Sequence, residues 1–155
     1  MIFVTVGTHY VGFDRLIKKM DEIAPNLEDN VIMQIGHTEY EPKNTEWFKF
    51  LEYDEILNFI KKSDIIICHG GAGTLLDILG LNKSIIVIPR LKKYNEVYDD
   101  HELELAESLT KKVIMVRDIE NLEGTINKLN LQKIEALKTD KNLINFLKNY
   151  LRSST

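Results

Sequence analysis

An open, mostly parallel α/β sheet with helices on both faces is the fold class this sequence predicts, as a single Rossmann-like domain. Three observations predict it. Six short apolar runs rich in β-branched residues recur along the chain, helical segments separate them, and glycines, hydroxyls and imidazoles gather where the runs end.

The runs are IFVTV at 2–6, NVIMQI at 30–35, WFKFL at 47–51, DIIIC at 64–68, SIIVI at 84–88 and KVIMV at 112–116. Several are apolar on both faces, as parallel strands covered by helices must be. Between the first two, FDRLIKKMDEIA puts Phe13, Leu16, Ile17, Met20 and Ile23 on one helical stripe, with Pro25 just past its end. DEILNFIKK, TLLDILGL and DDHELELAESL predict three further short helices. Alternation of strand and helix implies right-handed crossovers.

The 155 residues suffice for one domain with a real core, and any activity that needs two domains must borrow the second. We divide the chain into a Rossmann-like domain at 1–130 and a C-terminal segment at 131–155. The segment carries Leu131, Ile134 and Leu137, then Leu143, Ile144, Leu147 and Leu151 at helical spacing, interrupted by KTDKN. Five Lys/Arg against two Asp/Glu make it the basic end of a chain whose net charge is -4. Its apolar stripe suits either its own domain or a partner.

An acidic chain is a poor match for nucleic acid. The single Cys68 excludes an internal disulfide, MIFVTVGTH lacks the features of a signal peptide, and no apolar run approaches the roughly 20 residues of a membrane span. A cytoplasmic location is expected.

In open α/β sheets ligands bind outside the carboxyl ends of the strands. There the sequence places Gly7-Thr8-His9, Gly36-His37-Thr38, His69-Gly70-Gly71-Ala72-Gly73-Thr74 and Pro89-Arg90. Glycines before a helix expose backbone N–H groups and about half a positive charge to a phosphate. Thr74 adds a hydroxyl, and Asp77 can reach a ribose hydroxyl. The bland alternative is a tight strand-to-helix turn whose glycines serve positive φ or close packing. The dinucleotide fingerprint fails, since GAGTLL follows the fourth run and has Leu76 at the third glycine position, and no G-K-[ST] marks a P-loop.

The four histidines, His9, His37, His69 and His101, are too far apart in sequence to predict a metal site. Cys68 beside His69 is a poor nucleophile pair, because adjacent strand residues face opposite ways. Arg90 stands open to a diphosphate, a partner, or a surface pair with Asp99 or Asp100. His101 can cap its helix or touch a sugar, His9 can approach substrate, and His37 reads as a loop residue.

Residues 1 to about 120 resemble the donor-binding C-terminal half of family 28 glycosyltransferases of the GT-B type. The likeness extends to the small subunits of two-component UDP-sugar transferases, including the eukaryotic dolichol-linked one. It is carried by IFVTVGTH with FDRLI, QIGHTEYEP, SDIIICHGGAGTLLD and IIVIPRLKKYNEVYDDHELELAESL, in order and in register.

The resemblance implies one half of a GT-B fold in which the HGGAGT loop, His69 to Thr74 with Gly71, Ala72, Gly73 and Thr74 foremost, holds a UDP diphosphate. It implies that Asp77 binds ribose where the family more often has Glu, and that uracil lies by the backbone near Leu51. Gly7 and Thr8 face the interdomain cleft. Glu102 stands where the family's D-D-H-Q pattern has a sugar-binding glutamine, so an amide donor is lost. Implied further are inverting transfer from a UDP-sugar without metal or cofactor, a base on a second domain, and a membrane-anchored partner subunit binding a lipid-linked acceptor. Recruitment to the cytoplasmic face of the membrane would follow from that partner, and an isolated subunit could pair with itself. Against this stands a non-catalytic nucleotide-binding or regulatory module, and more remotely an NAD oxidoreductase.

Overall fold

The computed structural model describes residues 1–109 and 111–135. The chain divides into two compact units, Met1–Glu120 and Asn121–Thr155. A helix over 122–135 opens the second, so the expected boundary at 130/131 falls inside a helix rather than between elements. Of the expected apolar stripe, Leu131 and Ile134 are exposed; Leu137 and the residues after it lie outside the described range.

The first unit is a six-stranded sheet, every neighbouring pair parallel. Its strands are β1 (Ile2–Thr5), β2 (Val31–Gln34), β3 (Glu46–Phe48), β4 (Ile65–Cys68), β5 (Ser84–Val87) and β6 (Ile114–Met115). The helices are α1 (Asp14–Ile23), α2 (Tyr53–Lys62), α3 (Ala72–Ile78) and α4 (His101–Ser108). All six expected strands form, each a little shorter than its apolar run. The order β3-β2-β1-β4-β5-β6 reverses direction between β1 and β4, where a doubly wound sheet opens its crevice.

β1, β2 and β4 are buried along their whole length. Register puts Phe3 beside Ile32 and Ile66, and Ile66 beside Ile85, so these side chains share one face. On that face they pack with Ile60 of α2, Leu75 and Ile78 of α3 and Ala106 of α4. Phe3 stacks on Phe59 at 5.3 Å between ring centroids. Burying each such side chain stabilises by about 1.5–3 kcal/mol. α2 begins with a capping box, in which Glu52 and Glu55 satisfy each other's backbone N–H groups. α3 starts two residues earlier than the sequence suggests, with Gly71 as its N-cap.

One buried carboxylate ties the long β2–β3 connection to α1. Asp21, 1% exposed, accepts from Tyr40 Oη at 2.6 Å and from the backbone N–H of Lys43 and Asn44. Burial opposes its charge, but these donors outweigh burial and hold the carboxyl below the ordinary aspartate range. Asp21→Asn keeps the shape but loses the charge and turns one of the two acceptor oxygens into a donor facing other donors, so it should cost about 2–3 kcal/mol in urea unfolding at pH 7. Because the folded-state value is depressed, the wild-type advantage is complete above the unfolded aspartate value. The gap between the two proteins should therefore close as pH falls below about 4.

Candidate functional site

The loops after β1 and β4 enclose a cavity of about 400 Å³ at the point where strand order reverses. Gly7, Thr8, His9, His69, Gly71, Gly73, Thr74 and Asp77 of the sequence-derived set line it. Tyr53, at the first turn of α2, also lines it and was not singled out in the sequence; the only signal was an aromatic opening a helix on the ligand edge.

Each glycine of the turn has its own cause. Gly70 has φ +89, and a side chain there would also strike Val87. A Cβ on Gly71 would collide with Cε1 of His69, and one on Gly7, at φ +69, would lie 2.8 Å from His69 Nε2. Both glycines therefore make room for one imidazole ring. Gly73 alone of the three in the turn meets nothing within 4 Å, which leaves its face open to a ligand. Of the two explanations weighed for the turn, positive φ and packing inside the protein account for Gly70 and Gly71, and Gly73 is left facing open space.

α3 has no side-chain cap, and Leu75 N–H is bonded to the carbonyl of Gly71. The N–H groups of Ala72, Gly73 and Thr74 precede the first intrahelical bond and point out of the helix start. Leu76, in place of the third fingerprint glycine, is 78% exposed, while Leu75 and Ile78 make the contact with the sheet. Asp77 sits on the cavity wall with its Oδ1 accepting from Tyr53 Oη at 2.7 Å. That bond raises the Tyr53 phenol above the ordinary tyrosine range.

Behind the turn, both oxygens of Glu102 approach His69 Nδ1, at 3.2 and 3.3 Å. Burial opposes the Glu102 charge, but the bond to His69 and the charges of His69, Arg90 and His9 outweigh burial. Its carboxyl is held below the ordinary glutamate range. Glu102 is therefore engaged with the histidine instead of lining the cavity where the family's glutamine was expected. Cys68 is fully buried, and burial pushes its thiol up to about 12, so it stays protonated at neutral pH.

Three further expectations are corrected. Arg90 is 1% exposed; its Nη1 donates to the carbonyls of Val11 at 2.9 Å and Gly12 at 3.1 Å, and its Nη2 to that of Val6 at 3.2 Å. Its guanidinium lies over the Phe13 ring and is neither a diphosphate ligand nor a partner of Asp99 or Asp100. His101 is 80% exposed, beside Asp99 and Glu104, and is absent from the cavity lining. Leu51 is half-buried before α2 and likewise does not line it. Ala72 keeps its place at the helix start: its side chain turns to an apolar groove formed with Leu75, Leu76, Leu79, Leu105 and Leu109, while its backbone N–H precedes the first intrahelical bond.

The sequence also concealed the frame that fixes the β1 loop. Gln34, 1% exposed at the end of β2, accepts from Thr5 Oγ1 at 2.7 Å and Gly7 N–H at 3.2 Å. Its Nε2 donates to the carbonyls of Gly7 and Lys49, so one amide joins the ends of β1, β2 and β3. A glutamine inside the apolar run VIMQI was the available signal. A second cavity, about 490 Å³, opens beside Tyr10, Arg15, His37, Glu39, Tyr94 and Glu96 on the same edge. Glu96 there holds Arg15 in a two-pronged ion pair at 2.8 and 2.9 Å. The glycine turn and the α3 start do not line this cavity, so the first is the better candidate for a phosphate.

The model of the glycosyltransferase family 28 C-terminal domain matches residues 1–152. This chain belongs to that family. It is 36% identical over 124 residues to the human UDP-N-acetylglucosamine transferase subunit ALG13, covering 71% of this chain and 10% of that one. The ALG13 subunit of Candida albicans is 33% identical over 89 residues, covering 57% and 29%. A Geobacter metallireducens pyrophosphoryl-undecaprenol N-acetylglucosamine transferase is 27% identical over 113 residues, covering 65% and 30%. The chain thus spans less than a third of the length of each of these three relatives.

Among solved structures, MurG of Acinetobacter baumannii aligns with a TM-score of 0.59 at 20% identity, covering 82% of this chain and 40% of that one. The kitacinnamycin glycotransferase aligns at 0.64 and 18%, covering 83% and 34%. These likenesses establish the fold, which matches one half of the GT-B architecture. Among the described residues no helix is long and apolar enough to cross a membrane, and no group of three or more His, Cys, Asp or Glu is placed to hold a metal ion.

The glycine assignments separate under mutation. Gly71→Ala should lose about 1–3 kcal/mol in urea unfolding, because the His69 ring has nowhere to go. Gly73→Ala should leave stability unchanged or raise it by up to about 1 kcal/mol, as expected for Gly to Ala within a helix. Equal losses at the two positions would contradict the packing assignment.

Proposed function

We propose that this chain is the donor-binding part of a glycosyltransferase that uses a UDP-sugar, its diphosphate lying against the start of α3. The observation that carries the reading is the cavity at the β1/β4 reversal, walled by Gly73, Thr74 and Asp77, in a member of family 28. Transfer requires the leaving diphosphate to be stabilised as its bond to the sugar breaks. The N–H groups of Ala72, Gly73 and Thr74 and the Thr74 hydroxyl suit that task by electrostatic preorganisation, and the reading calls for no metal or cofactor. Asp77, already paired with Tyr53, offers a carboxylate oxygen to the ribose.

Transfer also needs a base to deprotonate the acceptor. In this reading it belongs to a second domain on a partner subunit, which is membrane-anchored and binds a lipid-linked acceptor. The chain would be cytoplasmic and recruited to the membrane through that partner, and transfer would invert the anomeric centre. The ALG13 relatives are named as subunits of a UDP-N-acetylglucosamine transferase, which supports a divided enzyme and makes that sugar the first donor to try.

Thermal unfolding tests the donor class. UDP or UDP-N-acetylglucosamine at about 100 times its Kd should stabilise the chain by roughly 2.7 kcal/mol, while ADP and NAD at equal concentration should not. The reverse pattern would replace the transferase reading with another nucleotide-binding module. Thr74→Val should weaken UDP binding about tenfold, or about 1.4 kcal/mol, without lowering the melting temperature of the ligand-free protein. Transfer should appear only when the partner is present; robust transfer by the chain alone would end the claim of a divided enzyme.

A further inference from the structure

Among the described residues that line the cavity assigned to the donor, Asp77 is the one carboxylate, and none is Lys or Arg. An anion on the wall of a diphosphate site opposes that ligand unless it is held away from the phosphates. Asp77 stands one helical turn beyond Thr74 on α3, about 5 Å further along the axis. A single bond fixes its carboxylate there: Tyr53 Oη donates to Asp77 Oδ1 at 2.7 Å. Among the described residues no other side chain bonds either oxygen.

Tyr53 owes its own place to α2 and not to Asp77. It is the first residue of that helix, directly after the capping box of Glu52 and Glu55, and shares a stripe with Ile56 and Ile60. Ile60 is fully buried, Ile56 packs against the sheet core, and all three residues line the cavity. The tyrosine ring itself is 58% exposed, so its hydroxyl is not there to satisfy a buried group. A phenol has one proton, and here it is spent on Oδ1, which leaves Oδ2 as the acceptor available to a ligand. The terminal torsion of an aspartate is broad, so without the phenol the carboxylate would be free to turn, or to swing toward the phosphates.

We propose that Tyr53 is a positioning residue for the donor: it holds the Asp77 carboxylate toward the start of α2, so that Oδ2 accepts from the ribose hydroxyls. The proposal rests on the donor reading of this cavity and on the ribose contact of Asp77 within it. Tyr53 acts through Asp77 and needs no contact with the ligand. Because the bond stands before the ligand arrives, the ordering of the carboxylate is not charged against binding. A phenylalanine would cover the same stretch of cavity wall, so the hydroxyl alone carries the role.

Calorimetric titration with UDP and with 2′,3′-dideoxy-UDP tests it. The wild type should bind UDP about thirtyfold more tightly than the analogue, and Tyr53→Phe should cut that ratio to about fivefold by weakening UDP. Asp77→Ala should bring the ratio close to one. Adding Tyr53→Phe to Asp77→Ala should then change neither affinity, because the phenol acts only through the carboxylate. Each ratio compares two ligands on one folded protein, so a purely structural role for Tyr53 would not move it. Tyr53→Phe removes one oxygen from an exposed ring, and the melting temperature of the ligand-free protein should stay where it is. A wild-type ratio near one, an unchanged ratio in Tyr53→Phe, or an equal loss of both ligands would overturn the proposal and leave the donor reading standing. A further loss in the double variant would also overturn it, by giving the phenol a contact of its own. Failure of the wild type to bind UDP would overturn the donor reading, and the proposal with it.

Discussion

The wedge of the His69 ring between two strand-end loops is the constraint on which this ligand edge depends. An imidazole only 6% exposed occupies the space where side chains of residues 7 and 71 would stand. Each glycine carries a conformational cost of roughly 0.5–1 kcal/mol relative to alanine in a regular element. Here that cost is offset by a packed ring that joins the β1 loop to the α3 start and is oriented from behind by Glu102. Moving the ring would alter the floor of the cavity, the entry of α3 and the position of α4 together.

Around this wedge the edge is held by buried polar side chains that each bond several backbone groups at once. Gln34 joins three strand ends through one amide, and Arg90 gathers carbonyls from Val6, Val11 and Gly12. Burying a guanidinium is costly unless acceptors surround it, and burial indeed lowers its proton affinity against the pull of Glu102 and Glu96. Both side chains solve the same difficulty. Loops after parallel strands leave backbone groups without ladder partners, and a long polar side chain from a neighbouring strand end can satisfy several at once. Groups used in this way are withdrawn from ligand chemistry, which is why the most basic residue near the turn contributes none.

The fold was legible in the sequence because its signals are local. Runs such as DIIIC and SIIVI are too short and too β-branched for helices, and Phe13, Leu16, Ile17, Met20 and Ile23 have only one helical face to share. The glycine turn was legible for the same reason, as were His69, Gly73, Thr74 and Asp77 on its cavity. The misplacements of Arg90 and Glu102 concern direction rather than position. Arg90 does follow β5 on the ligand edge, yet its side chain runs back under the β1 loop, and chain order carries no record of that turn. Gln34, Tyr53 and the Glu102–His69 contact were hidden because each joins residues 15 to 33 positions apart. Their meaning appears only once the strand order β2-β1-β4-β5 brings the loops side by side.

The same order explains why one edge can be rigid and receptive at once. At the reversal between β1 and β4 the crossovers leave in opposite directions, and buried side chains brace the loops on either side of the crevice. Gln34 braces the β1 side and His69 with Glu102 the β4 side, which leaves the outward face of Gly73 and the N–H groups beside it free of internal partners. A substitution in the brace would therefore be felt as lost stability, and one on the open face as lost ligand affinity. The two glycines of GAG differ by this alone: Gly71 belongs to the brace and Gly73 to the open face, two residues apart on the same turn.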